Sequence, residues 1–185
     1  MAEATKLIQG RFVIPEKAAT HFHLREGDVV ADFGAGSGYF IKILSELVGE
    51  EGRVYACEIQ KNLVETIGDL ARRENLDNVS VLWGDIETQD GTKIGDNKLD
   101  AGILVNTLFQ IEDKGVAVVE MSRTLRSGGK LFVIDWSESF GGLGPQPDMI
   151  ITEKDTRALF EQHGFVYERS FDTGDHHYGL AFRKP

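Results

Sequence analysis

The stretch VVADFGAGSGYF, residues 29–40, decides how the rest of the chain is read. An apolar run meets Asp32, then Gly34, Gly36 and Gly38 arrive at alternate positions, and apolar residues resume. Glycine inside a strand or helix costs roughly 0.5–1 kcal/mol relative to alanine, so three of them between two elements point to a turn that needs bare backbone. Residues 28–33 read as a buried strand, and 38–48 as a helix with Ile41, Leu44, Leu47 and Val48 on one face. A glycine turn at the carboxyl end of a first strand, leading into a helix, lets backbone amides approach a ligand closely.

Working outward, the same alternation continues. Residues 53–58, 79–83, 99–105 and 130–136 read as strands, and 61–74 and 114–125 as helices. A further helix starts near Thr152, where Thr152 and Asp155 resemble a capping box, and stops at His163-Gly164. Strands 165–171 and 177–183 flank Thr173-Gly174-Asp175, a turn signal for an antiparallel hairpin. Alternating strands and helices predict an α/β fold. It is a single-domain, Rossmann-like doubly wound sheet, mostly parallel, with an antiparallel C-terminal hairpin strand. About 24 residues precede this domain, read as an N-terminal helix (Pro15–Phe22) and lid, with the main domain over 25–185. In such sheets ligands sit beyond the carboxyl ends of the strands, which places the chemistry just after residues 33, 58, 84, 105 and 136.

Composition narrows the function. The 185 residues are 41% hydrophobic and 27% charged, ordinary for one soluble domain. Acids outnumber bases 30 to 20 for a formal net charge of -10, which argues against nucleic acid as partner, because phosphate binding wants a basic surface. No apolar run approaches the roughly 18 residues of a membrane span. The N-terminus lacks a basic-then-apolar signal, and Cys57 is the lone cysteine. Both features suit the cytoplasm, and the lone cysteine allows neither an internal disulfide nor a cysteine-built metal site.

Two further acids stand where a nucleoside would need them. Glu58 ends the second strand about 20 residues beyond the glycines, where an acid can accept from both ribose hydroxyls; the plainer reading is a surface acid at a strand end. Gly84-Asp85-Ile86 ends the third strand. Asp85 there suits an adenine amino group, with Ile86 over the ring, and it suits equally the capping of a turn. A dinucleotide motif wants its third glycine one residue later, where this chain has Tyr39.

Together these stretches resemble the class I S-adenosylmethionine-dependent methyltransferases, and in flavour the type 11, ubiquinone/menaquinone-biosynthesis branch. ADFGAGSGYF (31–40) resembles the family's glycine motif, and GDIE (84–87) its adenine loop. LDAGILVNTLFQIED (99–113) is similar to its fourth-strand segment. LRSGGKLFVIDW (125–136) is similar to its LKPGG segment, with Arg-Ser in place of Lys-Pro. The resemblance implies S-adenosylmethionine as cofactor. Asp32, Phe33, Gly34, Ala35, Gly36 and Gly38 would form the methionine end of its site. Glu58 would hold the ribose, Ile59 and Ile86 would sandwich the adenine, Asp85 would take its amino group, and Asn106 would face the methyl end. It also implies in-line methyl transfer that orients reactants and requires no metal. On the acceptor side the candidates are Asn106, Asp135 and His177 for catalysis, with Phe12, Gln110, Trp136, His176 and Tyr178 nearby. Adjacent His176 and His177 would face opposite ways on a strand, which disfavours a shared metal. Without a large insertion for a macromolecule, the expected acceptor is a small molecule or the exposed end of a larger one. A second reading is an S-adenosylmethionine-binding protein without turnover, or a regulatory partner of another methylase.

Overall fold

A computed structural model of the protein describes residues 13–140 and 144–185. Seven strands form one sheet: β1 (Val29–Phe33), β2 (Arg53–Glu58), β3 (Val79–Trp83), β4 (Leu99–Val105), β5 (Leu125–Trp136), β6 (Val166–Phe171) and β7 (His177–Arg183). Their order across the sheet is β3-β2-β1-β4-β5-β7-β6. The first five run parallel, and β7 is antiparallel to both β5 and β6. The expected fold class is therefore the observed one, hairpin included.

Two helical layers cover the sheet. α1 (Pro15–Ala19), α2 (Ile41–Val48) and α3 (Lys61–Glu74) bury Ala18, Ile41, Leu44 and Ile67 against Val30, Ile103 and Ile134 on one face. α4 (Lys114–Thr124) and α5 (Glu153–Gln162) bury Val118, Met121 and Phe160 against Ala31, Leu131 and Leu180 on the other. Strand order reverses between β1 and β4, so the crevice at that reversal opens above the glycine turn, as the fold requires.

Several boundaries moved for local reasons. α2 begins at Ile41, three residues later than expected, because Gly38 adopts φ +86° and the turn runs on to Phe40. β5 begins at Leu125, where ψ of 139° ends α4, and the sheet register then jumps from Leu99–Leu125 to Ala101–Lys130 across a bulge. α1 stops at Ala19, short of the expected Phe22. α5 starts as read: Thr152 Oγ1 accepts from Asp155 N–H at 3.1 Å, and Gly164 beyond its end has φ +88°. The first twelve residues of the N-terminal segment, and with them Phe12, lie outside the described residues. No helix among the described residues is long and apolar enough to cross a membrane.

Candidate active site

The glycine turn is built as its residues demand. Gly34 and Gly36 adopt φ of +72° and +57°, conformations that strain a side chain. A Cβ on Gly34 would lie 2.7 Å from the Thr107 methyl carbon, so the turn presses against the end of β4. A Cβ on Gly36 would meet nothing within 4 Å, because that position borders open space. Gly38, at φ +86°, does not reach the cavity; its neighbours are Leu70, Ile67 and Ile41, so it serves helix packing. Phe33 is fully buried in the core and likewise does not line the cavity.

That open space is a cavity of about 500 Å³, large enough for a nucleoside-sized ligand. It gathers Asp32, Gly34, Ala35 and Gly36 from the first loop, Glu58 and Ile59 from the second, Asp85 and Ile86 from the third, and Asn106 from the fourth. With Gln110, ten of the sequence-predicted residues thus converge on one crevice. Both isoleucines line the cavity, Ile86 buried and Ile59 56% exposed.

The carboxylates are held by backbone. Glu58 Oε2 accepts from Gly36 N–H and Oε1 from Gln60 N–H, both at 2.9 Å. Buried at a strand end, Glu58 therefore ties the glycine turn to β2, which the sequence did not reveal. A carboxylate offers about four lone-pair sites, so capacity for two hydroxyl donors remains. Asp85 Oδ1 accepts from Glu87 N–H and Oδ2 from the Thr88 hydroxyl, each at 2.8 Å. The turn-capping role is thus real, and it fixes the carboxylate at the cavity edge. Asp32 is 3% exposed. Burial, and then the charge of Glu58, push its carboxyl up to about 7.

Asn106 adopts φ +52° just past β4, and its buried Oδ1 lacks a hydrogen bond. A polar atom in that state is one a cationic group could satisfy, as the ammonium of a methionine would. Glycines that open onto a nucleoside-sized space, the carboxylates of Asp32, Glu58 and Asp85 along it and an orphaned oxygen fit S-adenosylmethionine.

The three residues proposed for catalysis do not come together. Asp135 pairs with Tyr178 and Trp136 with His177 across β5 and β7, so Asp135 and His177 point to opposite faces of the sheet. Neither lines the cavity; Asn106 does, with Gln110. Asp135 Oδ1 accepts from Trp136 N–H at 2.8 Å. Burial raises its carboxyl to about 6, against the opposing pull of the Trp136, Leu108 and Phe109 amides; even so, Oδ2 has no hydrogen bond of good geometry. Tyr178 meets Thr156 at 2.7 Å on the same face. His177 packs on Trp136 with ring centroids 4.2 Å apart, and burial lowers its pKa. His176 sits before the strand at φ +66° with Nδ1 2.8 Å from Glu138 Oε1. Among the described residues no cluster of three or more His, Cys, Asp or Glu side chains is arranged to hold a metal.

The cavity also takes in Tyr39, Leu63, Thr107 and Ile111, which sequence reading passed over. Leu63 lay in plain view on the apolar face of its helix. Thr107 carried no signal, because its role is contact with Gly34 across the strand reversal.

Comparison with known proteins agrees with this geometry. A family model described as a methyltransferase domain matches residues 24–172. Over 122 residues, 66% of this chain, it is 31% identical to the ubiquinone/menaquinone biosynthesis C-methyltransferase UbiE of Chromobacterium violaceum, and the match spans 48% of that protein. The chain thus spans about half the length of the curated relatives it matches. Its fold superimposes on an S-adenosylmethionine-dependent methyltransferase from Aquifex aeolicus with a TM-score of 0.85 and 27% identity, covering 92% of this chain and 89% of the other. A structure named as a type 11 methyltransferase from Sulfolobus solfataricus gives 0.68 and 28%, covering 85% and 84%. With the family model matched over residues 24–172, most of its length, the chain belongs to the methyltransferase domain family, among the class I S-adenosylmethionine-dependent methyltransferases.

Proposed function

We propose that the chain transfers a methyl group from S-adenosylmethionine to a small molecule, by direct in-line displacement and without a metal. The observation that supports this most is the single cavity lined at once by the glycine turn and by Asp32, Glu58 and Asp85. When bound, the cofactor supplies a sulfonium methyl with a neutral leaving group. The protein is left with orientation of the two reactants. Glu58 holds the ribose with its remaining lone pairs, Asp85 and Ile86 take the adenine, and Asp32 and Asn106 face the cationic methionine end. Ile59 closes the adenine slot from the open side. Gln110, beside Asn106, reaches the space where an acceptor approaches.

A base is needed only if the acceptor must lose a proton. His177 is the candidate carried from the sequence. Its Nδ1 lies 3.0 Å from the Asp175 carbonyl, to which the ring donates. Asn106 at the end of β4, where a divalent ion would want an acid, supports the metal-free reading.

Titration calorimetry tests the cofactor: S-adenosylhomocysteine is expected to bind, and NAD to give no heat. Tight NAD binding without a response to S-adenosylhomocysteine would sink the reading. The curated relatives are named for ubiquinone and menaquinone biosynthesis, so quinone precursors are the first acceptors to assay. Turnover should persist in EDTA; magnesium-dependent rescue would refute the metal-free mechanism. His177→Ala should then slow turnover and leave S-adenosylhomocysteine affinity within about 1 kcal/mol.

A further inference from the structure

The connection from β3 to β4, residues 84–98, carries Asp85 and Ile86 yet contains no helix of its own. α4 supplies the missing frame. At its start, Glu87 Oε2 accepts from the amides of Glu112 and Asp113 at 2.9 and 2.8 Å. Further along, Glu120 lies 2% exposed and reaches back into the loop. Its Oε1 accepts from Thr92 N–H at 3.1 Å and from the Thr92 hydroxyl at 2.6 Å, and its Oε2 from Asp90 N–H at 3.0 Å. Arg123 closes the fork with Nε on Oε2 at 2.8 Å and Nη2 on Oε1 at 2.7 Å. The same guanidinium donates to the Ile94 carbonyl at 2.8 Å and pairs with Asp96 at 2.5 Å.

The pinned residues reach the site through backbone. Asp85 N–H donates to Gly91 O at 3.0 Å, and Gly91 lies between the two amides that Glu120 holds. A Cβ on Gly91 would sit 2.1 Å from the Asp85 carbonyl, so backbone contact is close there. Neither Glu120 nor Arg123 lines the cavity. Burial alone would raise the Glu120 carboxyl; the hydrogen bonds from Arg123, Thr92 and Asp90 overcome it and bring it down to about 2. The group is thus a fixed anion at any working pH.

We propose that Glu120 and Arg123 are positioning residues for the adenine end of the cofactor: they splint the β3–β4 loop onto α4 and thereby set Asp85 and Ile86 at the cavity. The inference rests on the reading that Asp85 and Ile86 hold the adenine. A pair of this kind acts through geometry, so its loss is felt in affinity for the part of the ligand the loop touches.

Calorimetry with S-adenosylhomocysteine and with adenosine alone, on variants whose circular dichroism is unchanged, tests it. Glu120→Ala is expected to weaken both ligands by about 10-fold. Asp85→Ala/Glu120→Ala should bind no worse than Asp85→Ala within about 3-fold, because the splint matters only through what it positions. Where Glu120→Ala is too unstable to titrate, Arg123→Lys keeps the charge and loses the fork, and should show the same pattern at roughly 3-fold. Unchanged affinity in a folded variant, or losses that add in the double variant, would overturn the proposal. If Glu120→Ala weakens adenosine while Asp85→Ala does not, the splint stands and the placement of the adenine on Asp85 fails.

Discussion

At the scale of single residues, Asp32 carries the sharpest consequence. Its carboxyl sits near 7 when folded and near 3.8 when exposed, so between about pH 4 and 7 the folded state holds a proton that the unfolded state has lost. Stability therefore falls as pH rises through that window and levels off above it. Asp32→Asn removes the buried charge and should raise the melting temperature of the ligand-free protein at pH 8 by roughly 2–8 °C, with little change at pH 4. Cofactor binding has the opposite sign. A cationic methionine end favours the ionised carboxylate, so binding near pH 6–7 should release a proton, and affinity should rise with pH up to about 8. Calorimetry in two buffers of different ionisation enthalpy reads that proton directly, and Asp32→Asn should abolish it. Glu58 makes a second case. Its loss removes both the proposed ribose acceptor and the tie to Gly36, so Glu58→Ala should weaken S-adenosylhomocysteine by about 10- to 150-fold. Unaltered affinity would show that the ribose lies elsewhere.

At the scale of elements, the Glu120–Arg123 fork makes α4 sensitive to acid. Glu120 ionises near 2 when folded, well below its ordinary 4.5, so the stability it contributes is present above about pH 5 and is lost as pH falls toward 2. Acid unfolding of the wild type should accordingly be shallower in Glu120→Gln between pH 5 and 3, measured by circular dichroism. An identical acid transition in the two proteins would mean that the fork contributes nothing net. The elements themselves were legible in the sequence where periodicity is strong. β1, β2, β3, β4 and α3 have the bounds the apolar pattern implies, to within a residue. The pattern erred where one short segment obeys the tertiary structure: residues 125–129 read as a helix end and a loop, yet they form the start of β5 across a bulge.

At the scale of the whole molecule, the crevice at the strand reversal links ligand to fold. Four loops from two halves of the sheet meet there, so a ligand that bridges them stabilises the folded state by mass action. S-adenosylhomocysteine at about 100 times its dissociation constant should add roughly 2.7 kcal/mol, or about 5–11 °C in melting temperature. At one fixed ligand concentration, the shift should be larger at pH 8 than at pH 6, following Asp32. A thermal melt without any shift would mean that S-adenosylhomocysteine does not bind the folded protein, which would refute the cofactor reading. The acceptor side is less symmetric: Asn106 and Gln110 share the crevice, while Asp135 and His177 stand on opposite faces of the sheet.

By itself, the sequence determined the glycine turn, the acids that end β2 and β3, and the parallel α/β arrangement that brings them together. These follow from local chemistry: a glycine pattern, a strand end and a helix period are written in neighbouring residues. Only the tertiary structure decided what each acid holds while no ligand is bound. Glu58 grips an amide 22 residues away, and Glu120 grips a loop 28 to 30 residues before it. It also decided which face Asp135 and His177 take, because that depends on the register of β5 against β7, a pairing of residues more than 40 apart in the chain. A hydrogen bond between distant segments leaves no periodic trace in either one, so these contacts exist only once the sheet is assembled.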